Sequence, residues 1–214
     1  PVLLSSSSLG NQLSHTSLIT VVAIGGLILT LLAAITICVG EKARLPTYGI
    51  VKYAFGERGA VAINILMAIS LFGWIAVTGN MFGHSVHDLF AQHGVELPIP
   101  LWVALGCIIF IASTAFGFAV LGKIAQIAVP VIALVLCYIL YVATHGQAPA
   151  LDGVKQMSIG VAVSTVVGTI IVLVATLPDF GSFVHNRKHA LIAAGMTFLV
   201  AYPLLYWAGA TPSA

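Results

Sequence analysis

Six separate stretches of about twenty apolar residues, nearly free of charge, constrain this chain more than any other feature. They run over residues 18–39, 60–83, 100–120, 124–144, 158–177 and 190–208. A helix needs about 20 such residues to cross the ~30 Å hydrocarbon core of a bilayer. In lipid the backbone N–H and C=O groups have to be satisfied within the protein, which leaves helices and closed barrels. Barrel strands alternate apolar and polar residues, whereas these runs are continuously apolar. The chain therefore reads as an all-α polytopic membrane protein, with the lipid bilayer as its first partner.

Composition excludes the alternatives. Of the 214 residues 60% are hydrophobic and 7% charged, against about 25% charged in a soluble domain. So few charges cannot clothe a core of this size in a water-facing shell. The net charge of +2 and the lack of a basic stripe argue against nucleic acid as a partner, since that needs many phosphate-neutralising cations. Cys38, Cys107 and Cys137 lie inside apolar runs without CxxC spacing, and read as small buried hydrophobes.

The ends and connections carry more. The segment PVLLSSSSLG, Pro1 to Gly10, is too short to span and reads as the second half of a helix whose first half is missing. The chain is thus expected to be a fragment of a single transmembrane domain, with residues 1–17 as half a helix and a loop. Residues 40–59, GEKARLPTYGIVKYAFGERG, are polar, basic and aromatic. They are expected to hold a short interfacial helix with Tyr48, Tyr53 and Phe55 at headgroup level. Alternate loops fall on opposite sides of the membrane. One side then receives Lys42, Arg44, Lys52, Arg58, Lys123, Arg187 and Lys188, and the other only Lys155. Cytoplasmic loops are the cation-rich ones, so residues 40–59, 121–123 and 180–189 are expected in the cytoplasm, and the protein in the cell (inner) membrane.

Several polar positions inside these spans are candidate site residues. Ser5 to Ser8, with Asn11 and Gln12, could line a solute or ion path with small hydroxyls, or form the exposed tail of a cut chain. In the second span Ser70, Trp74 and Thr78 share a helix face. A mid-membrane Trp with hydroxyl neighbours could stack a planar ring, or the group could pack helices together. Pro130 interrupts the fourth span and Gly168-Thr169 the fifth. Broken helices expose backbone groups to a solute at mid-bilayer in transporters, and ordinary kinks use the same residues. Asp179 closes the fifth span, either as a gating or proton-linked carboxylate or as a polar helix end. His84, His87 and Asp88 have metal-like spacing but no Glu base and no third basic ligand nearby. No phosphate loop, nucleophile elbow or catalytic dyad occurs, so no enzyme activity and no metal centre are expected. Gly79 and Gly83 form a GxxxG, a close-packing device.

These residues resemble a known family, the nucleobase:cation symporter-1 family, and within it the cytosine permease branch. The linker is the most specific part. Gly40, Lys42, Leu45 and Thr47, then Lys52-Tyr53 and Phe55-Gly56, resemble its G-x-K-x-x-L-x-T and [RK]-[FY]-x-F-G patterns. Leu9-Gly10 with Leu13-Ser14 resemble the end of its first helix, and Gly73-Trp74 a Gly-Trp pair in its third. Ile127 to Pro130 resemble its fifth helix. Val167-Gly168, Asp179-Phe180 and Phe183 resemble its sixth.

The resemblance implies a partial inverted-repeat transporter fold of the five-plus-five helix type, with about six full helices plus a half helix here. The six spans become helices two to seven, and helix eight, which supplies part of the cation and substrate sites, falls outside this chain. It also implies a cation-coupled permease, with Na+ or H+ as coupling ion and cytosine, a purine or a related heterocycle as substrate. Ser70, Leu71, Trp74, Gly168, Thr169 and Ile170 would face the substrate, and Ser5, Ser6 and Asp179 would belong to a gate or pathway. Two positions depart from the pattern: Leu71 stands where the branch has Gln, and Ile170 where it has an aromatic. An amide for a pyrimidine edge and a second stacking ring are therefore missing, which points to a heterocycle related to cytosine. The alternative function is a non-transporting membrane scaffold, or truncated pseudotransporter.

Overall fold

The computed structural model describes residues 2–10, 12–94, 97–115, 118–145 and 157–210. Among these the chain is helical, in the order α1 (Val2–Gly10), α2 (His15–Ala43), α3 (Thr47–Ala91), α4 (Ile99–Ala115), α5 (Phe118–His145), α6 (Ile159–Gly168), α7 (Ile171–Ala175), α8 (Leu177–Gly181), α9 (Arg187–Gly195) and α10 (Tyr202–Ala210). A π-helical turn, Met196–Ala201, joins α9 to α10. Pro203, which has no N–H to give to the carbonyl four residues back, follows this widened turn. Among the described residues, three helical runs are long and apolar enough to cross a bilayer alone: Thr16–Ala43, Thr47–Ala91 and Arg187–Ala210.

The spans differ from their sequence expectation in several places. The linker does hold a short helix, from Thr47 to Gly56, and is more helical than expected only because α2 runs on to Ala43. Gly56, at φ 70° and ψ −177°, divides α3 into a short N-terminal piece and a long helix. Pro130 does not interrupt α5, which continues through it, and residues 121–123 are helical and form no loop. Asn11, and Lys155 with most of its connection, lie outside the described residues.

The chain forms two compact units. The first, residues 1–67 and 138–214, holds α1, α2 and α6–α10. Here α1 packs on α10, and α2 lies along α6, α8 and α9. Leu18, Val22, Leu29, Ala33 and Ile37 bury one face of α2, while Ile19, Leu27, Leu31 and Ile35 on the other are exposed. That is the i, i+4, i+7 pattern of a helix with one face on protein and the other on lipid. Small residues set the spacing. A Cβ at Gly26 would lie 2.7 Å from the Phe198 carbonyl oxygen, and one at Gly40 would lie 2.5 Å from that of Pro178. Gly26, Ala33 and Gly40 fall seven residues apart and let neighbouring backbones approach closely.

The second unit, residues 68–137, holds the C-terminal part of α3, α4 and the first part of α5. Gly79 and Gly83 meet Cys107 and Val103 of α4, and Gly106 meets Phe82. The Phe82 and Phe110 rings pack edge-on at 5.8 Å, and Phe90 stacks on Trp102 at 4.8 Å. The GxxxG does pack helices.

Candidate functional site

The fifth apolar span is broken where the sequence places Gly168-Thr169. α6 ends at Gly168, and Ile170 has φ −131° and ψ 2° before α7 resumes. The local cause is legible. Gly168 is a poor helix former. The Thr165 and Thr169 hydroxyls bond back to the carbonyls of Val161 and Thr165, at 3.0 and 2.7 Å, a habit that bends helices. At the break the Ile170 N–H turns to the Val167 carbonyl, 3.2 Å away. In an unbroken helix it would go to Val166. The Val166 carbonyl is instead taken by the Tyr202 hydroxyl of α10, at 2.7 Å, deep in the core.

Further hydroxyls gather on this junction. Ser5 Oγ lies 3.1 Å from Thr169 Oγ1, and Tyr206 Oη lies 3.5 Å from Thr169 and 3.4 Å from Tyr202. A hydroxyl has one proton to give. Thr169 spends its proton on Thr165, so Ser5 donates to Thr169 and keeps its own lone pairs as acceptors. Ser6, next to it, is fully buried. Gly168 is exposed, and a Cβ there would meet nothing within 4 Å, so packing does not require glycine at this point. Ile170, where the resembled family has an aromatic, packs partly against the hydrophobic core. The first unit thus brings together Ser5, Gly168, Thr169 and Ile170.

Ser70, Leu71 and Trp74 belong to the second unit, on α3. Trp74 is half-buried, and its carbonyl accepts the Thr78 hydroxyl at 2.7 Å. Ser70 and Leu71 are exposed, and the space beside Gly73 is open. Trp102 differs: it is half-buried against Phe90, and its indole N–H is buried without a partner among the described residues.

Asp179 sits away from the break, in α8. Its carboxylate accepts the Thr47 backbone N–H at 2.6 Å, so it caps α3. Arg44 returns the contact, donating to the Ser182 and Val184 carbonyls at 3.2 and 2.7 Å. His87 Nδ1 lies 3.3 Å from Asp88 Oδ1.

Sequence reasoning passed over Tyr202, Tyr206 and Arg44. The signal for the tyrosines was present: two hydroxyls four residues apart, inside an apolar span.

Known proteins are similar to this chain. The family described as permease for cytosine/purines, uracil, thiamine and allantoin matches residues 3–214. Cytosine permeases of Escherichia coli strains K12 and O157:H7 are each 28% identical, over 97% of this chain and 49% of theirs. The structure of Mhp1, a nucleobase-cation-symport-1 family transporter in a closed conformation with bromovinylhydantoin bound, superposes with a TM-score of 0.76 at 18% identity. It covers 99% of this chain and 48% of Mhp1. The chain spans about half the length of the relatives it matches.

Proposed function

From the family of permeases for cytosine and purines, uracil, thiamine and allantoin, to which this chain belongs, we propose that it works as part of a cation-coupled secondary transporter for a nucleobase-like heterocycle. The observation that carries this reading is the break after Gly168. It leaves an exposed glycine backbone and a hydroxyl cluster inside an otherwise apolar span, and polar groups at membrane depth mark substrate and ion pathways. Gly168 and Thr169 supply polar contacts to the base, and Ser5 offers an acceptor for a ring N–H. Trp74, in its own unit, supplies a π-face, with Ser70 and Leu71 beside it. Leu71 and Ile170 in place of an amide and an aromatic favour a heterocycle other than cytosine itself. The coupling ion, Na+ or H+, is a co-substrate. Asp179 and the basic loops face the cytoplasm of a protein in the cell membrane.

Stacking of a base on an aromatic contributes ~1–3 kcal/mol by alanine substitution, or about tenfold or more in affinity. Trp74→Ala is therefore expected to abolish measurable uptake of labelled purines and pyrimidines, and Trp74→Phe to retain part of it. Affinity is measured on the monodisperse fraction with and without sodium. Unchanged affinity of Trp74→Ala protein there would remove Trp74 from the substrate site.

A further inference from the structure

A second feature of the first unit lies at the end of α2 that the charge pattern places in the cytoplasm. A groove of about 470 Å³ runs between α2 and α9. Leu31, Ile35 and Leu191 wall its apolar length, and Lys42, Arg187 and Glu41 stand at its mouth. Leu31, Ile35, Cys38 and Lys42 fall at i, i+4, i+7 and i+11, along one face of α2. At 1.5 Å per residue that face is about 16 Å long, close to half of the ~30 Å hydrocarbon core. The groove therefore has the depth of one leaflet, with its cations at headgroup level.

The cations at the mouth are not in ion pairs. Among the described residues the ion pairs are Lys52 with Glu57 and His87 with Asp88, so neither Lys42 nor Arg187 has a carboxylate partner. Arg187 is also the first residue of α9, whose first turn has no acidic residue. The helix dipole is positive at that end, so Arg187 and Lys188 add like charge to like. An anion relieves both. The two cations and Glu41 sum to one net positive charge, which matches a singly charged phosphate. Glu41 is an acceptor for a headgroup hydroxyl and repels a doubly charged headgroup.

We infer that this groove binds one singly anionic phospholipid of the cytoplasmic leaflet, with its phosphate between Lys42 and Arg187 and one acyl chain along Leu31, Ile35 and Leu191. Basic pockets between membrane helices bind anionic headgroups in this way. The chain carries an internal contrast: a cleft of the same 470 Å³ volume, lined by Leu18, Leu27, Leu199 and Trp207 among others, has no charged residue on its wall. It has no means of choosing between headgroups.

Native mass spectrometry of the detergent-solubilised protein, titrated with phosphatidylglycerol or phosphatidylcholine of equal chain length, tests the assignment. Phosphatidylglycerol is expected to bind the tighter. Each cation near a membrane surface contributes roughly fivefold, so Lys42→Gln with Arg187→Gln together should weaken phosphatidylglycerol binding roughly 25-fold and leave phosphatidylcholine unchanged. Lys188→Gln, also exposed but off the groove wall, should weaken phosphatidylglycerol binding less than Arg187→Gln and leave phosphatidylcholine unchanged. Ala34→Phe, which fills the groove and keeps its charges, should weaken phosphatidylglycerol as well. If the double variant is not monodisperse, Lys42→Gln alone decides, with an expected loss of roughly fivefold. Equal phosphatidylglycerol binding by the charge variants and the parent overturns the site. So does displacement by inorganic phosphate at equal concentration with no effect of Ala34→Phe, which would mark a free-anion site.

Discussion

The Asp179 carboxylate reaches across 132 residues of sequence to accept the Thr47 backbone N–H at 2.6 Å. The first N–H groups of a helix have no partner within it. Thr47 does not supply its own cap, since its hydroxyl is buried without a hydrogen-bond partner among the described residues. Asp179 is thus the cap of α3 delivered from α8, and Arg44 on the α2–α3 connection caps carbonyls just beyond α8. The two ends hold each other. Loss of an N-cap side chain costs about 0.5–2 kcal/mol. Asp179→Ala is expected to lower the unfolding midpoint in a single detergent, and Asp179→Asn, which keeps an acceptor oxygen, to lower it less. An Asp179→Ala protein that melts with the parent would show that this contact holds nothing.

The close approach at Gly40 makes a second prediction. A Cβ there would run into the Pro178 backbone, and backbone cannot swing aside as a side-chain end can. Forcing extra atoms into a packed contact costs about 1–3 kcal/mol, so Gly40→Ala should destabilise. Gly122→Ala in α5, where a Cβ meets nothing within 4 Å, should be neutral or slightly stabilising by helix propensity. Equal melting of the two variants would mean that α2 and α8 can separate freely.

Gly56 raises a different question, because the space around it is open. Its φ of 70° with ψ of −177° is a conformation held almost only by glycine, at a cost of about 1–3 kcal/mol for other residues. Gly56→Ala should therefore destabilise with no clash to explain it. Gly73→Ala, equally open but helical, should not. Chymotrypsin cleavage after the exposed Tyr53 and Phe55 is expected to accelerate in Gly56→Ala alone, and an unchanged digestion rate would refute the strain argument.

What the sequence made legible was whatever depends on composition and period: the helices, their apolar reach, the GxxxG contact and the break at Gly168-Thr169. Gly168 and the two flanking threonines carry that break locally, so reading along the chain was enough. Pro130 fits the ordinary-kink reading, because a proline removes one hydrogen bond and a membrane helix absorbs that loss without ending. Asp179 and Arg44 could not be paired from sequence, since their partners are backbone groups, which leave no residue signature. The hydroxyl cluster was half visible. Ser5 and Thr169 each stood out as polar, but that they meet depends on how α1 and α10 enclose α6.

Tyr202 carries the last prediction. Its hydroxyl satisfies the carbonyl that the helix break releases, at 2.7 Å and in the core. A buried carbonyl left without a donor costs about 1–3 kcal/mol. Tyr202→Phe keeps the ring contacts with Phe198 and Tyr206 and deletes only the hydroxyl. Without it, Val166 can regain a donor only if Ile170 returns to it, which would straighten the break, or if the segment opens to water. Either response appears in amide hydrogen exchange: protection at Ile170 rises if the helix closes and falls if it opens. Tyr206→Phe removes contacts of 3.4 and 3.5 Å, at or beyond the far end of useful hydrogen-bond lengths, and should perturb the segment less. Exchange at Ile170 that is the same in Tyr202→Phe and the parent would mean that the break is held by Gly168 and the threonines alone, and a larger disturbance by Tyr206→Phe would move the role from Tyr202 to Tyr206.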